Sequence, residues 1–164
     1  MGPGEKYSAK VQFGIKMHRS LDRFTDQHAD VRKSISMLWD PHRHYSAVII
    51  DVFYDYVLSN EFSHYSSQSL DSFVTDINRS LFESGVELPA FIDHRITNVK
   101  WLANYRNIDG LEAAFTRLNK RSRKDIDLTV AIEPLIADYS AHCENFTRFF
   151  ADIQIEAQSI LKNA

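Results

Sequence analysis

Apolar residues recur at intervals of three and four positions along most of this 164-residue chain, and strict alternation of apolar with polar residues is hard to find. The first spacing is typical of amphipathic α-helices and the second of half-buried strands. Only 5 glycines and 4 prolines interrupt the pattern, and 44% of the residues are hydrophobic, enough for a sizeable core. We therefore predict an all-α protein that folds as a single-domain helical bundle.

The predicted helix boundaries follow from local start and stop signals. Asp40 and Pro41 form a good helix opening, because aspartate can cap a helix and proline is tolerated in its first turn. Gly85 is a typical stop signal, and Pro134 is expected to kink or divide the longest helix. The predicted spans are residues 9–25, 29–39, 40–62, 69–84, 89–105, 109–120 and 124–162. Residues 1–8 are expected to be a disordered start or an expression remnant, and residues 9–164 to form the domain.

Composition and charge exclude several classes of function. A formal net charge of -3 does not suit a bulk nucleic-acid binder. No run approaches the roughly 20 apolar residues of a membrane span, and the chain does not begin with a signal peptide. The single cysteine, Cys143, excludes an internal disulfide and suits a reducing compartment. We expect a cytoplasmic protein without nucleic-acid or membrane partners.

The segment AVIIDVFYDYVL, residues 47–58, combines ten apolar or aromatic residues with two acids, Asp51 and Asp55. Side chains four positions apart lie on nearly the same face of a helix. A helix that is apolar almost all round is buried, and two ionised carboxylates inside it would each cost several kcal/mol if left unpaired. The pair therefore requires a cationic partner, which is a basic side chain, a proton or a metal ion.

A second polar stripe lies in the first predicted helix, within GIKMHRSLDRFTD. His18, Asp22 and Asp26 are spaced by four residues. An imidazole and a carboxylate one turn apart can bind a single ion, and this mixture suits Mn²⁺, Fe²⁺ or Zn²⁺ better than Ca²⁺. Two such helices packed together predict a metal site, which can acidify a bound water and hold a phosphoryl oxygen.

Two simpler explanations of these stripes stay open. A histidine and an aspartate four residues apart are usually a surface pair. The buried acids can instead be held by arginine, and three arginines lie close to the first stripe: Arg19, Arg23 and Arg32.

At these residues the chain resembles the acyl carrier protein phosphodiesterases. The likeness rests first on GIKMHRSLDRFTD and on DVFYDYVL at 51–58, which are fairly specific in combination. Three weaker pieces also fit: WLANY at 101–105, IDGLEAAFTRLNKRSR at 108–123, and FTRFFADI at 146–153. The resemblance covers nearly the whole chain from about Lys6 onward.

The resemblance implies an all-helical metallohydrolase similar to the HD-domain enzymes, working with a divalent metal, most often Mn²⁺. It implies hydrolysis of the phosphodiester that joins 4′-phosphopantetheine to a serine of holo-acyl carrier protein, which releases the apo-carrier protein. It assigns His18, Asp51 and Asp55 as metal ligands. Asp22 is either a further ligand or the acceptor that orients the imidazole. Arg19 is either a catalytic phosphate contact or a salt-bridge partner within the acidic stripe.

Two departures from the family pattern affect these expectations. Relatives commonly have histidine after the second aspartate, where this chain has Tyr56, a poor metal ligand near neutral pH. Relatives also begin with an extra helical segment that carries a histidine and an aspartate. By this resemblance the chain is expected to start after that segment, so, if the segment supplies ligands, the chain is expected to bind metal weakly or to be inactive.

Other residues carry weaker signals. A basic cluster near the end of one predicted helix suits an acidic carrier protein, although a solvated helix end explains it equally: Arg117, Lys120, Arg121, Arg123 and Lys124. Trp101 and Tyr105 either line a groove for the pantetheine arm or, more ordinarily, pack in the core. His42 and His44 are expected at the surface.

Two other functions remain as alternatives to the implied one. A metal-dependent enzyme of this kind can act on a small or nucleotide phosphodiester. A helical module can also bind a carrier protein without catalysis, and Tyr56 gives that option some weight.

Overall fold

The computed structural model describes residues 8–38, 42–85, 100–122 and 126–163. The secondary structure of these ranges is helical throughout, which confirms the predicted all-α class. The α-helices are α1 (Ala9–Gln27), α2 (Ala29–Met37), α3 (Ser46–Tyr65), α4 (Leu70–Glu83), α5 (Lys100–Asn104), α6 (Ile108–Asn119), α7 (Ile132–Ala137) and α8 (Tyr139–Lys162). Short 3₁₀ turns, Arg43–Tyr45 and Leu128–Ala131, precede α3 and α7. No helix in the described ranges is long and apolar enough to cross a membrane.

Side-chain caps fix several helix starts. The Val11 N–H donates to Ser8 Oγ at 3.4 Å at the start of α1, so the predicted boundary at residue 9 holds. Ser69 and Asn107 cap α4 and α6 in the same way. Gly85 follows α4 with φ of 60°, the left-handed conformation that its lack of a Cβ permits. Residues 1–7 and the predicted helical residues 89–99 lie outside the described ranges.

The region predicted as a helix over 124–162, kinked or divided at Pro134, is divided, but its α-helices do not fill the described residues from 126 onward. The chain instead forms a 3₁₀ turn, α7 and α8, with the break between the two α-helices at Asp138. Pro134 has no N–H to donate to the carbonyl of Val130, and its ring would clash with that carbonyl in a continuous helix. It is therefore accommodated as the third residue of α7, where an N–H would have no partner within the helix.

The start of α3 also differs from the prediction. The Asp40-Pro41 opening lies outside the described residues, and the α-helix begins at Ser46. Arg43 has φ of 42°, in the left-handed region, which is incompatible with a continuous α-helix. The 3₁₀ turn that contains Arg43 therefore delays the helix start.

Helix α3 forms the centre of the fold. Ile49, Phe53 and Val57 have no exposed surface, and they share a core cluster with Leu111 and Phe115 of α6. The other buried members come from α2, α3, the second 3₁₀ turn, α7 and α8: Val31, Leu38, Ile50, Tyr54, Leu128, Ala131, Leu135, Phe146 and Phe149. Burial of side chains of this size stabilises the fold by about 1.5–3 kcal/mol each. The direction in which α3 points its remaining side chains is therefore fixed by packing on several sides.

A second core cluster packs α4 and α5 against the C-terminal half of α3. Its buried members are Phe62, Leu70, Val74, Leu102, Tyr105 and Ala114. Tyr105 thus packs in the core, which was the more ordinary of its two expected roles. The Ser59 hydroxyl reinforces this contact by donating to the Leu102 carbonyl at 2.9 Å.

Replacing Gly110 by alanine is expected to destabilise the protein by about 1–3 kcal/mol or more. A Cβ at this position, in the first turn of α6, would overlap the backbone carbonyl of Asn104. Gly14→Ala is the matched control, because a Cβ in this part of α1 would meet nothing within 4 Å. That change is expected to stabilise the protein by about 1 kcal/mol. Chemical denaturation measures both effects, and equal stabilisation by the two substitutions would contradict the packing at Gly110.

Candidate active site

A pocket of about 540 Å³ lies between α1, α2, α3 and α8 and collects four aspartates. Asp22 and Asp26 reach it from α1, and Asp51 and Asp55 reach it from α3. Each pair is spaced by four residues, so both members share one face of their helix. The two acidic stripes recognised separately in the sequence therefore meet across one cavity.

The remaining lining of the pocket is mainly apolar and, among the described residues, includes no lysine, arginine or histidine. Helices α2 and α8 supply an apolar wall: Val31, Ile35, Phe146, Phe149, Phe150 and Ile153. Thr25 and Tyr54 are its uncharged polar members. Asp55 is half-buried at this apolar surface, whereas Asp22, Asp26 and Asp51 are exposed, and none of the four meets a cationic side chain in the described lining.

The two aspartates of α3 have raised pKa values. Burial, with a smaller contribution from the nearby charge of Asp51, raises the pKa of Asp55 to about 7. Burial also raises the pKa of Asp51, with smaller contributions from the charges of Asp22 and Asp26. Asp51 is exposed and Asp55 is half-buried, so water screens the charge of Asp51 more effectively. The pocket is therefore a site of uncompensated negative charge, most of all at Asp55.

Arginine does not supply the missing charge among the described residues. Their ion pairs include none between an arginine and these four carboxylates. Arg32 Nε–H donates to the backbone carbonyl of Asp26 at 3.1 Å, and this bond does not involve the Asp26 carboxylate. Arg19 and Arg23 are exposed and lie outside the pocket lining.

His18 is not brought to the pocket. Its Nδ1 lies 3.4 Å from Asp22 Oδ1, and both side chains are largely exposed, at 76% and 57%. This is the surface pair that was the simpler explanation of the spacing. Asp22 therefore faces the pocket with a histidine beside it on the solvent side, so His18 can orient Asp22 but is not gathered with Asp51 and Asp55.

The carboxylate oxygens of the pocket are ligands of the kind that divalent cations bind. No group of three histidine, cysteine, aspartate or glutamate side chains in the described ranges is placed to hold an ion alone. Small hard cations do not require such a cage, because they commonly bind through one or two carboxylates, water and substrate phosphate oxygens. Asp51 and Asp55 provide that kind of carboxylate pair, and burial together with neighbouring carboxylate charge raises the pKa of each.

A buried polar network supports the floor of the pocket. Tyr54 Oη donates to Ser34 Oγ at 2.9 Å, and Asn145 Nδ2 donates to the same oxygen at 3.0 Å. Arg148 donates to Asn145 Oδ1 and to Asp30 Oδ1, at 2.7 Å in each case. These bonds join α2, α3 and α8 and fix the turn of α3 that carries Asp55. This network was not predicted from the sequence, although Asn145 lies four residues before Phe149 and therefore on the same face of α8.

His28 anchors the corner between α1 and α2. Its Nδ1 accepts the Asp30 N–H at 3.2 Å, so its Nε2–H is the donor to Asp152 Oδ2 of α8, also at 3.2 Å. The ring packs between Phe24 and Phe149, with centroids at 5.5 and 5.3 Å. This corner holds the end of α1 that carries Asp26 against the wall of the pocket.

Tyr56, which departs from the family pattern, does not line the pocket. Its ring stacks on Phe53 with a centroid distance of 5.6 Å and meets Tyr139 edge-on at 6.2 Å. Burial raises the pKa of the Tyr56 hydroxyl above the ordinary value of tyrosine. Tyr56 therefore has a packing role, and its place in the sequence beside Asp55 does not make it a metal ligand.

The basic cluster is described only in part. Arg117, Lys120 and Arg121 are exposed at the end of α6, while Arg123 and Lys124 lie outside the described residues. Arg117 also hydrogen-bonds the Tyr105 hydroxyl, whose pKa is raised mainly by burial and by the charge of Asp55. The described members of the cluster are thus separate from the described pocket lining, to which Tyr105 does not belong either.

His42 corrects another expectation. It was expected at the surface, but its residue is only 5% exposed and its Nε2 has no partner within the described residues. Burial lowers the pKa of this imidazole, which keeps it neutral. His42 is buried because it lies directly before the 3₁₀ turn that leads into α3.

The raised pKa of Asp55 predicts a specific pH dependence of stability. The pKa of Asp55 is about 7 in the native state, compared with an ordinary value of 3.8. Between these two pH values the native state keeps a proton on Asp55 that the unfolded state has released. The free energy of unfolding therefore falls as the pH rises through this window. Asp55→Asn is expected to remove that slope and to raise the free energy of unfolding at pH 8 by about 1–3 kcal/mol.

Denaturation series from pH 4 to pH 8 measure this effect. Asp76→Asn, at an exposed position of α4, is the matched control and should retain the wild-type slope. An Asp55→Asn variant that is less stable than the wild type at pH 8 would contradict the proposed charge environment.

Comparison with known proteins agrees with the sequence motifs. The family model of acyl carrier protein phosphodiesterase matches residues 2–153. A protein named acyl carrier protein phosphodiesterase from Klebsiella pneumoniae is 24% identical over 161 residues, covering 96% of this chain and 83% of its own length. Proteins of the same name from Salmonella agona and Escherichia coli are 28% and 23% identical, each covering 94% of this chain and 82% of their own length. No solved structure matches the chain. Since the family model spans nearly the whole sequence, the chain belongs to the acyl carrier protein phosphodiesterase family.

Proposed function

We propose that this protein hydrolyses the phosphodiester that joins 4′-phosphopantetheine to a serine of holo-acyl carrier protein. The products are the apo-carrier protein and free 4′-phosphopantetheine. The observation that carries the proposal is the convergence of two aspartate pairs on one cavity in a member of this family. A phosphodiester carries negative charge, so it can enter this cavity only together with a cation.

A divalent metal ion, with Mn²⁺ the first candidate, is the proposed cation. Asp51 and Asp55 would hold it, with Asp22 across the cavity as a further ligand or as the group that accepts a proton from the attacking water. When bound, such an ion polarises the phosphoryl oxygens and acidifies a water. The exposed His18 would keep the Asp22 carboxylate oriented, and the exposed Arg19 remains a proposed contact for the phosphate.

Proton exchange at Asp55 accompanies this proposal. With a pKa of about 7, its carboxyl group is partly protonated near neutral pH. Binding a cation requires the ionised form, so metal binding is expected to release protons and to strengthen as the pH rises through 7. The apolar wall from α2 and α8 limits water around the reacting phosphate and strengthens these electrostatic interactions.

The carrier protein is proposed to dock on the basic cluster at the end of α6. Its described members Arg117, Lys120 and Arg121 are exposed and therefore available to an acidic partner. We place the reaction in the cytoplasm, where the free, half-buried thiol of Cys143 is compatible with the reducing conditions.

Asp51→Asn and Asp55→Asn are each expected to lower turnover of holo-carrier protein at saturating Mn²⁺ by at least about 100-fold, because each removes an anionic oxygen from the cation site. The mass of the carrier protein, before and after loss of the phosphopantetheine arm, measures the reaction. Asp76→Asn, an exposed aspartate on another helix, should leave turnover unchanged. Full activity of both pocket variants would exclude the aspartate pair as the catalytic site.

The same assay separates the alternative functions. Turnover of a small or nucleotide phosphodiester without turnover of holo-carrier protein would indicate a different substrate. Binding of carrier protein without loss of its arm, at any Mn²⁺ concentration, would indicate a non-catalytic module.

Charge reversal at Lys120 and Arg121 is expected to raise the KM for holo-carrier protein about tenfold while leaving kcat unchanged, because the change weakens encounter and not chemistry. The effect should shrink at high ionic strength. Lys33→Glu with Lys162→Glu, at exposed positions elsewhere, introduces the same change in net charge. An equal rise in KM for that control pair would show a general charge effect and no specific docking at the end of α6.

A further inference from the structure

We propose that the apolar part of the pocket receives the pantetheine arm and selects arms with an uncharged end over arms that end in a carboxylate. The inference rests on the proposed function and concerns a property that hydrolysis alone does not require. Three features of the lining carry it: its size, the hydrogen-bonding character of its polar groups and its net charge.

The cavity is large enough for more than the phosphate. Its volume of about 540 Å³ lies within the range of about 300–1,000 Å³ that is typical of small-molecule sites. The side chains that α8 contributes are all apolar: Phe146, Phe149, Phe150 and Ile153. The phosphate and its cation belong beside the aspartates, which leaves the space along α8 for the organic arm attached to the same phosphate.

The two hydroxyl groups of the lining can only accept hydrogen bonds from a ligand, because their own hydrogens are already donated within the protein. Tyr54 Oη uses its hydrogen in the bond to Ser34 Oγ. Thr25 Oγ1 uses its hydrogen in a 3.0 Å bond to the carbonyl of Leu21. Both oxygens therefore offer only lone pairs to a ligand, as ionised aspartates also do. A pantetheine arm carries two amide N–H donors, which such a lining can satisfy, whereas a carboxylate has no donor to offer.

The charge of the lining acts in the same direction. Four aspartates line the cavity, and no cationic side chain from the described part of the chain joins them. One divalent ion offsets two of four ionised carboxylates, so the lining retains a negative charge after the phosphate site is filled. A second anion at the far end of the arm would be repelled by this charge, which water screens only in part because Asp55 is half-buried while Asp22, Asp26 and Asp51 are exposed.

A matched pair of substrates tests the selection. The thiol of holo-carrier protein is alkylated with iodoacetamide or with iodoacetate, which gives thioether arms of nearly equal shape ending in an amide or in a carboxylate. At pH 8, the neutral arm is expected to be removed with a kcat/KM about tenfold or more above that of the anionic arm. Equal kcat/KM values for the two arms would overturn the inference.

Ile153→Lys adds the cation that the cavity lacks. Ile153 is half-buried in the lining, so its replacement is expected to bring the ratio of the two kcat/KM values towards one or to reverse it. Ile155→Lys is the matched control on the same helix, because Ile155 is 66% exposed and lies outside the lining. It should preserve the wild-type ratio, and an unchanged ratio in a folded Ile153→Lys variant would place the arm elsewhere and overturn the inference. The comparison of arms on the wild-type protein does not depend on the folding of either variant.

Unmodified holo-carrier protein distinguishes failure of the inference from failure of the proposed function. Turnover of the unmodified substrate without discrimination between the two alkylated arms overturns the inference alone. Absence of turnover with all three substrates at saturating Mn²⁺ overturns the proposed function and this inference with it.

Discussion

The position of α3 in the centre of the bundle is the constraint on which the site depends. Its apolar residues are buried against α2, α5, α6 and α8, so the helix cannot rotate without exposing a large hydrophobic surface. Asp51 and Asp55 occupy the one sector that faces the cavity. Packing elsewhere on the helix thus holds the Asp55 carboxylate in a poorly solvated place beside Asp51, and its raised pKa is the direct consequence.

The opposite side of the cavity is built differently. None of the residues of α1 is fully buried, although this helix supplies Asp22 and Asp26. It is held by partial burial against α8 and by the His28 corner, where one imidazole joins the start of α2 to Asp152. The site therefore lies between α3, which the core holds in place, and α1, which is partly buried and is anchored by His28 at its C-terminal end. Such an arrangement allows the cavity width to change at a lower cost on the α1 side than on the α3 side.

The sequence predicted those features that depend on local spacing. Helix type and most boundaries followed from the apolar period and from caps such as Ser69 and Gly85. The two aspartate pairs were also visible, because residues four apart share a helix face. Features that depend on contacts between distant residues were missed. His18 was expected at the metal site, but which side of its stripe faces α3 is decided by the packing of α1 on α8 and not by spacing. His28 and Asp152 are 124 residues apart, and the burial of His42 depends on a turn with a left-handed residue that composition does not reveal.

The carboxylates of the pocket both lower the stability of the fold and provide its proposed chemistry. Ionised Asp55 destabilises the folded protein near neutral pH, and an uncharged residue of similar size would relieve that cost. The carboxylates nevertheless give the cavity two properties that an apolar lining cannot provide, which are affinity for a cation and acceptance of N–H donors. The proposed substrate matches both requirements at once, because its phosphate can share the cation while its amide groups meet Thr25 and Tyr54. An acidic lining is therefore compatible with an anionic substrate, provided that the negative charge of the substrate is confined to the end that meets the metal.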